Sequence, residues 1–208
     1  MGAMAQCVGV VLAGGAGRRL GRSKGDLRFR GTTLAERAAA VLWELCGSVL
    51  ISTAPGTPNP APAYPVIEDP APAGRGPLVG IGAAYAATGA ADLLVLACDY
   101  PRVGAELLRQ VLDAAEPEDE AVILTDGAGR DHTLVGLWRR QAEPVVREAV
   151  QAGRFQVRGL LAELAVRRLG PSALPELDLD HLLFNLNWPE ELGELVGGAR
   201  RSIHRAEI

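Results

Sequence analysis

Between positions 12 and 24 the chain reads Leu12-Ala13-Gly14-Gly15-Ala16-Gly17-Arg18-Arg19-Leu20-Gly21-Arg22-Ser23-Lys24. Three glycines in four positions let the backbone approach a ligand closely and turn its N–H groups inward. Arg18, Arg19, Arg22 and Lys24 then place four positive charges in seven residues, within a chain whose net charge is −4. That local reversal suits an anionic ligand such as a triphosphate. Two familiar loops do not fit. The dinucleotide fingerprint needs glycine where Leu20 stands, and the Walker loop needs Ser or Thr after its lysine, where Gly25 stands. The competing reading is a glycine-rich turn with solvated arginines.

Two acidic segments complete the set. Asp99 closes a strongly apolar run, where an aspartate can hold a hard cation against phosphate oxygens. Its alternative is a helix cap or a turn aspartate ahead of Pro101. Glu68-Asp69 stands before Pro70, and a turn aspartate is the plainer reading there. Cys98 reads as a small buried residue beside the site. No Ser/His/Asp or Cys/His pair is evident, so no protein nucleophile is expected.

Composition narrows the classes. The 208 residues, 48% hydrophobic, suffice for one core and are too few for two ordinary domains. A single domain over 1–208 is expected, with residues 1–5 and about 197–208 flexible. Aromatic residues make up 4%, and no basic stripe is interleaved with them, which argues against nucleic acid as a partner. Cys7, Cys46 and Cys98 are odd in number and far apart in sequence. They suggest neither a disulfide framework nor a cysteine zinc site, and fit a reducing, cytoplasmic setting. His132, His181 and His204 have no metal-ligand spacing. No apolar run approaches the ~20 residues of a membrane span, and no basic region precedes the first apolar stretch.

The elements that must position these residues can be read from periodicity. Valine- and leucine-rich runs at 7–12, 49–52, 66–67, 92–97, 121–125, 134–138 and 166–169 predict strands. Helices are expected over 33–46, 77–87, 105–115, 143–151, 157–164 and 189–195. Thr33 with Glu36 has the spacing of a capping box, Gly47 closes that helix, and Pro77 opens the next. The proline-rich stretch 55–65 reads as a loop. Strands alternating with helices argue for an α/β domain, a mostly parallel sheet with helices on both faces. Ligands bind such sheets at the carboxyl ends of their strands, and residues 13–24, 68–69 and 98–99 each follow a strand. They should converge on one edge.

With those residues in view the chain resembles the nucleotidyltransferases of the molybdenum cofactor guanylyltransferase type. The resemblance rests on Leu12-Ala13-Gly14-Gly15 with Gly17, Arg19, Gly21 and Lys24, and on Glu68-Asp69. It extends to Gly76-Pro77-Leu78-Val79-Gly80, Cys98-Asp99-Tyr100-Pro101 and Asn185-Leu186-Asn187-Trp188-Pro189-Glu190-Glu191-Leu192. The first motif is shared with sugar and cytidylyl nucleotidyltransferases; the combination is more specific. The chain departs from the pattern at Thr133, where many relatives have proline, and in 52–55, which lack an asparagine some relatives use toward the base.

The resemblance implies a Rossmann-like fold of the nucleotide-diphospho-sugar transferase type. It implies transfer of GMP from GTP onto the phosphate of molybdopterin, with release of pyrophosphate. Carried over by position, Leu12, Ala13, Gly14, Gly15, Gly17, Arg19, Lys24, Asp69 and Asp99 are nucleotide-binding, Lys24 and Asp99 catalytic, and Asp99 the ligand of Mg2+. Asn185 and Asn187 are acceptor-binding, although Asn187 could instead cap a helix opening at Pro189. Besides GTP and molybdopterin, partners would be molybdenum-insertion or molybdoenzyme-chaperone proteins. Phosphoryl transfer asks a protein mainly for positioning and charge stabilisation, which these residues could supply. A cytidylyl- or sugar-type transferase on the same fold, or a non-catalytic nucleotide-binding relative, are the alternatives.

Overall fold

The structure is a computed structural model, and it describes residues 7–14, 24–70, 75–186 and 191. Strands β1 (Cys7–Leu12), β4 (Val49–Thr53), β5 (Val66–Glu68), β6 (Asp92–Ala97), β7 (Ala121–Thr125), β8 (Asp131–Trp138) and β9 (Val166–Leu169) form one sheet. Its order is β5-β4-β1-β6-β8-β7-β9. Neighbours pair in parallel except at β8, which runs against both β6 and β7. The mostly parallel sheet is therefore as expected. β1 and β6 are buried nearly throughout because helices cover both faces, which is why they read as unbroken apolar runs.

Helices α1 (Leu34–Cys46) and α3 (Ala105–Asp113) pack on one face; α2 (Pro77–Thr88), α4 (Glu143–Gln151) and α5 (Val157–Leu160) pack on the other. α1 starts where Thr33 Oγ1 accepts from Glu36 N and the Glu36 carboxylate accepts from Thr33 N. Both halves of the capping box are present, and Gly47 ends the helix in the left-handed region at φ 67°. Leu34 and Leu42 of α1 are fully buried against the sheet, each contributing about 1.5–3 kcal/mol relative to exposure. Among the described residues no helix is long and apolar enough to cross a membrane.

Several expectations need correction. A two-strand hairpin, β2 (Arg28–Phe29) and β3 (Thr32–Thr33), precedes α1, and a short helix α6 (Leu179–Leu182) lies near the end. Neither is long enough to show periodicity. β8 begins at Asp131 rather than 134, because the polar Asp131-His132-Thr133 continues the ladder beyond a bulge opposite Ile123 and Leu124. α3 stops at Asp113 and α5 at Leu160, the latter tightening into a 3-10 turn. The proline-rich stretch is a loop, as expected, and it is pinned by hydrogen bonds. Thr33 Oγ1 donates to Pro60 O at 2.7 Å, and Asn59 bridges Ala61 N and Tyr64 O. Cys7 and Cys46, far apart in sequence, place their sulfurs 3.2 Å apart as free thiols, because α1 returns antiparallel over β1. The expected helix over 189–195 and the termini lie outside the described residues, apart from Glu191.

The strand order fixes where a ligand can sit. From β1 the chain moves outward to β4 and β5, then returns to β6 on the other side of β1. The crevice at the carboxyl ends of β1 and β6 is the switch point of the sheet.

Candidate active site

The strand ladders continue past their ends at this crevice. Ala13 N donates to Ser52 O at 2.9 Å, and Cys98 N donates to Leu12 O at 3.2 Å. Ala13-Gly14 and Cys98-Asp99 thus leave the sheet side by side. Lys24 stands in a 3-10 turn (Lys24–Asp26) seated directly on them. A Cβ on Gly25 would lie 3.2 Å from Ala13 Cβ and 3.1 Å from Pro60 Cγ, so the turn has room for glycine but is tight for a side chain. Lys24 Nζ donates to Asp99 Oδ2 at 3.1 Å and to Leu186 O at 2.9 Å, and Leu186 N donates to Asp99 O at 2.8 Å. Three segments far apart in sequence therefore meet at one ion pair, whose two side chains are each about one-fifth exposed.

The second acidic position lies at the end of β5, on the same edge of the sheet with β4 and β1 between it and β6. Asp69 N donates to Thr53 O at 2.8 Å, extending the β4–β5 pairing, and Asp69 Oδ1 accepts from Ser52 Oγ at 2.7 Å. Burial pushes the Asp69 carboxyl above the usual carboxylate range, while the Ser52 hydroxyl works against that. Two glycines make the space. A Cβ on Gly14 would lie 3.1 Å from both Asp69 Oδ2 and Ala54 N; one on Gly80 would lie 2.5 Å from Ser52 Oγ. Gly80 belongs to α2, which opens on Pro77 after Gly76 at φ 107°. The Gly-Pro-Leu-x-Gly element is thus a packing device that brings the helix onto the Ser52–Asp69 pair.

The donor chemistry suits a hard cation. Asp99 Oδ1 is buried with no hydrogen-bond partner among the described residues, while Oδ2 takes Lys24. A carboxylate oxygen left in that state is the kind of ligand magnesium prefers. Among the described residues no group of three or more His, Cys, Asp and Glu could hold a metal by itself. An ion here would be held by Asp99 together with oxygens of a bound phosphate. Cys98, fully buried, has its thiol pushed up by that burial and by Asp99, so it stays a neutral packing residue.

A further set of groups escaped the sequence. His132 is buried, its Nε2 3.1 Å from Asp126 Oδ2 and its Nδ1 3.2 Å from the Tyr100 hydroxyl. The Asp126 carboxyl also accepts from Ala128 N, Arg130 N and the Arg130 guanidinium. Burial would raise its pKa, but these bonds outweigh burial and hold it at about 2. Burial depresses the pKa of His132 despite Asp126, leaving a neutral imidazole. Burial, helped by the neighbouring Asp99, raises Tyr100 to about 12. The only sequence signal for this set was the spacing of Asp126 and His132 around a turn, and nothing in it pointed to Tyr100.

Of the predicted site, the structure brings together Leu12, Ala13, Gly14, Lys24, Asp69, Asp99 and Asn185. Gly15, Gly17, Arg19 and Asn187 lie outside the described residues.

A crevice of this kind, at the switch point of a mostly parallel sheet, is where α/β proteins bind their ligands. The chain belongs to the MobA-like NTP transferase domain family, whose domain its residues 9–168 match. The chain is 33% identical over 196 residues to the probable molybdenum cofactor guanylyltransferase of Mycobacterium avium (strain 104), covering 92% of this chain and 95% of that protein. It is 36% identical over 158 residues to the protein so named in Mycobacterium tuberculosis (strain ATCC 25618 / H37Rv), covering 74% and 78%. The crystal structure of molybdopterin-guanine dinucleotide biosynthesis protein A from Archaeoglobus fulgidus superposes with a TM-score of 0.68 at 21% identity, covering 90% of this chain and 95% of that one. At that identity the likeness speaks for the fold.

Proposed function

We propose that the protein is a magnesium-dependent molybdenum cofactor guanylyltransferase, which moves GMP from GTP onto the terminal phosphate of molybdopterin. The observation that carries the reading is the Lys24–Asp99 pair at the switch point, with an Asp99 oxygen that has no hydrogen-bond partner among the described residues. The names of its mycobacterial relatives support the choice of base and acceptor. In the reaction an oxygen of the acceptor's phosphate attacks the α-phosphorus of GTP. A P–O bond forms there, the bond to the bridging α–β oxygen breaks, and pyrophosphate leaves with that electron pair. The acceptor phosphate is already ionised near neutral pH, so no general base is needed.

What the chain must do is hold and orient. Lys24, beside Asp99, offsets the charge of the phosphates. Asp99 at the end of β6 and Asp69, on its Ser52 anchor at the end of β5, supply the acidic groups of this edge. A magnesium ion held by Asp99 and the triphosphate would neutralise charge developing on the reacting phosphate. Asn185 lies on the acceptor side, joined to the nucleotide side through Leu186 and Asp99.

Pyrophosphate release with each nucleoside triphosphate, with and without molybdopterin, tests the reading. Release is expected with GTP only when molybdopterin and magnesium are present. Release with CTP but not GTP would replace guanylyl by cytidylyl transfer, and nucleotide binding without any release would leave a non-catalytic relative.

A further inference from the structure

Gly9 of β1 and Leu42 of α1 are in close approach. A Cβ on Gly9 would lie 2.8 Å from Leu42 Cβ, so the absence of a side chain there lets the helix come down onto the strand. The chain rejoins β1 directly after the helix, through Gly47 in the left-handed region and Ser48, whose carbonyl accepts from Gly9 N at 2.9 Å. Helix and strand are thereby held in register. Cys7 shares a face of β1 with Gly9, two residues before it; Cys46 lies on the Leu42 side of α1, four residues after it. The two steps are nearly equal, about 6.6 Å along a strand and about 6 Å along a helix. Because α1 runs back over β1, both lead the same way. The two thiols therefore meet, with their sulfurs 3.2 Å apart. Cys7 is buried, and Cys46, the last residue of the helix, is partly exposed.

We propose that Cys7 and Cys46 are a reversible oxidation site, a dithiol that a small disulfide of the glutathione class converts to an intrachain disulfide stapling the end of α1 to the start of β1. The Cys46 thiolate, the one within reach of solvent, attacks a sulfur of the small disulfide; that S–S bond breaks and one small thiolate leaves with the electron pair. The Cys7 thiolate then attacks the Cys46 sulfur, forming the intrachain bond and releasing the second small thiolate. The protein gives up two protons and two electrons, and the oxidant becomes two thiols. Bonded sulfurs lie about 2.0 Å apart, so the pair closes by little more than 1 Å, a movement shared by two side chains and a helix end. Cys98 is buried past the carboxyl end of β6 and takes no part. The bond joins positions 39 apart and so closes a loop around the basic glycine-rich segment and Lys24. Tying that much chain together restricts the unfolded state and stabilises the fold. The pair sits at the amino end of β1 and the Lys24–Asp99 site at the carboxyl end, so the staple acts on stability rather than on chemistry.

The test is incubation of the full chain with oxidised glutathione, followed by intact-mass measurement, thiol titration after unfolding, and thermal melts. The parent should lose two of its three thiols and become lighter by two hydrogen atoms, with no adduct, and dithiothreitol should restore it. Cys7→Ser should stop at a glutathione adduct on Cys46, and Cys46→Ser should keep both remaining thiols. If Cys7→Ser does not fold, Cys46→Ser, changed at a partly exposed position, is the control. The Tm of the oxidised parent should rise by about 10 °C over the reduced form. A parent that retains all three thiols, keeps a glutathione adduct or forms a covalent dimer overturns the inference, as does an intrachain disulfide that leaves the Tm unchanged. Pyrophosphate release with GTP and molybdopterin should stay within about twofold on oxidation. This last readout rests on the proposed function, whereas the mass, the thiol count and the melt do not. A loss of turnover beyond tenfold would overturn the assignment of the staple to stability alone.

Discussion

Lys24 Nζ donates to the carbonyl oxygen of Leu186 at 2.9 Å, joining positions 162 apart in sequence. The same ammonium bonds Asp99, and Leu186 in turn donates to the Asp99 carbonyl. The nucleotide loop, the strand-end aspartate and the segment that follows α6 are thus one structural unit. A change at any of the three is felt at the other two.

Lys24→Ala should cut kcat/KM for GTP by about 100-fold, the scale seen when one preorganised charge-stabilising donor is lost. Stability should fall by no more than about 1 kcal/mol, since the pair is partly exposed and its Coulomb energy is screened. Turnover of GTP at the parent rate would remove Lys24 from the phosphate site. Paired kinetics and thermal melts of the same preparation measure both quantities.

Asp99→Asn keeps the shape of the side chain and removes its charge. Turnover should be lost by about 100-fold or more at any magnesium concentration, with the fold intact. Rescue of activity at high magnesium would mean that other groups can hold the ion without Asp99. A melting temperature lowered by more than about 8 °C would mark Asp99 as a structural residue instead.

Two glycines of α2 should respond in opposite ways to alanine. At Gly82 a Cβ would meet nothing nearer than Val150 Cγ2 at 3.6 Å, so Gly82→Ala should be neutral or stabilising by up to about 1 kcal/mol. At Gly80 the Cβ would lie 2.5 Å from Ser52 Oγ and 3.2 Å from Asp69 Oδ1. Gly80→Ala should cost about 1–3 kcal/mol and weaken GTP binding further, because it displaces Asp69. Calorimetric titration with GTP on both variants separates them, and equal affinities would show that the Ser52–Asp69 pair does not reach the nucleotide.

Acid should destabilise the fold in two stages. His132 has a depressed pKa, so the unfolded chain binds its proton first and stability begins to fall as the pH drops below about 6.5. Asp126 has a folded value of about 2 against 3.8, so its contribution is present above 3.8 and is lost between about pH 4 and 2. The first-stage loss should be reduced in His132→Gln, whose side chain does not titrate. Arg130 and Arg158 disfavour a charged imidazole, so neither opposes the first stage. Denaturant melts across pH 3 to 8 measure the effect, and a parent and variant with parallel pH profiles above pH 5 would count against it.

The sequence alone determined the type of sheet, the strand ends that carry chemistry and the place where α1 begins. Parallel strands buried on both faces must be apolar at every position, as β1 and β6 are, and a capping box is local, as Thr33 and Glu36 show. Lys24 stood out in a basic, glycine-rich loop and Asp99 as a charge closing an apolar run, whereas Asp69 by itself read as a turn residue and was singled out only by the resemblance. Only the tertiary structure decided what holds them. Ser52 under Asp69, Gly80 making room for both, and the Leu186 carbonyl on Lys24 depend on which segments the sheet order brings together. A backbone carbonyl has no residue type by which a sequence could announce it. Likewise His132 looked like one of three scattered histidines until β8 laid it between Asp126 and Tyr100. Spacing along the chain reports contacts within a turn or a helix; contacts between elements are set by how strands order and helices cross, and those are properties of the whole core.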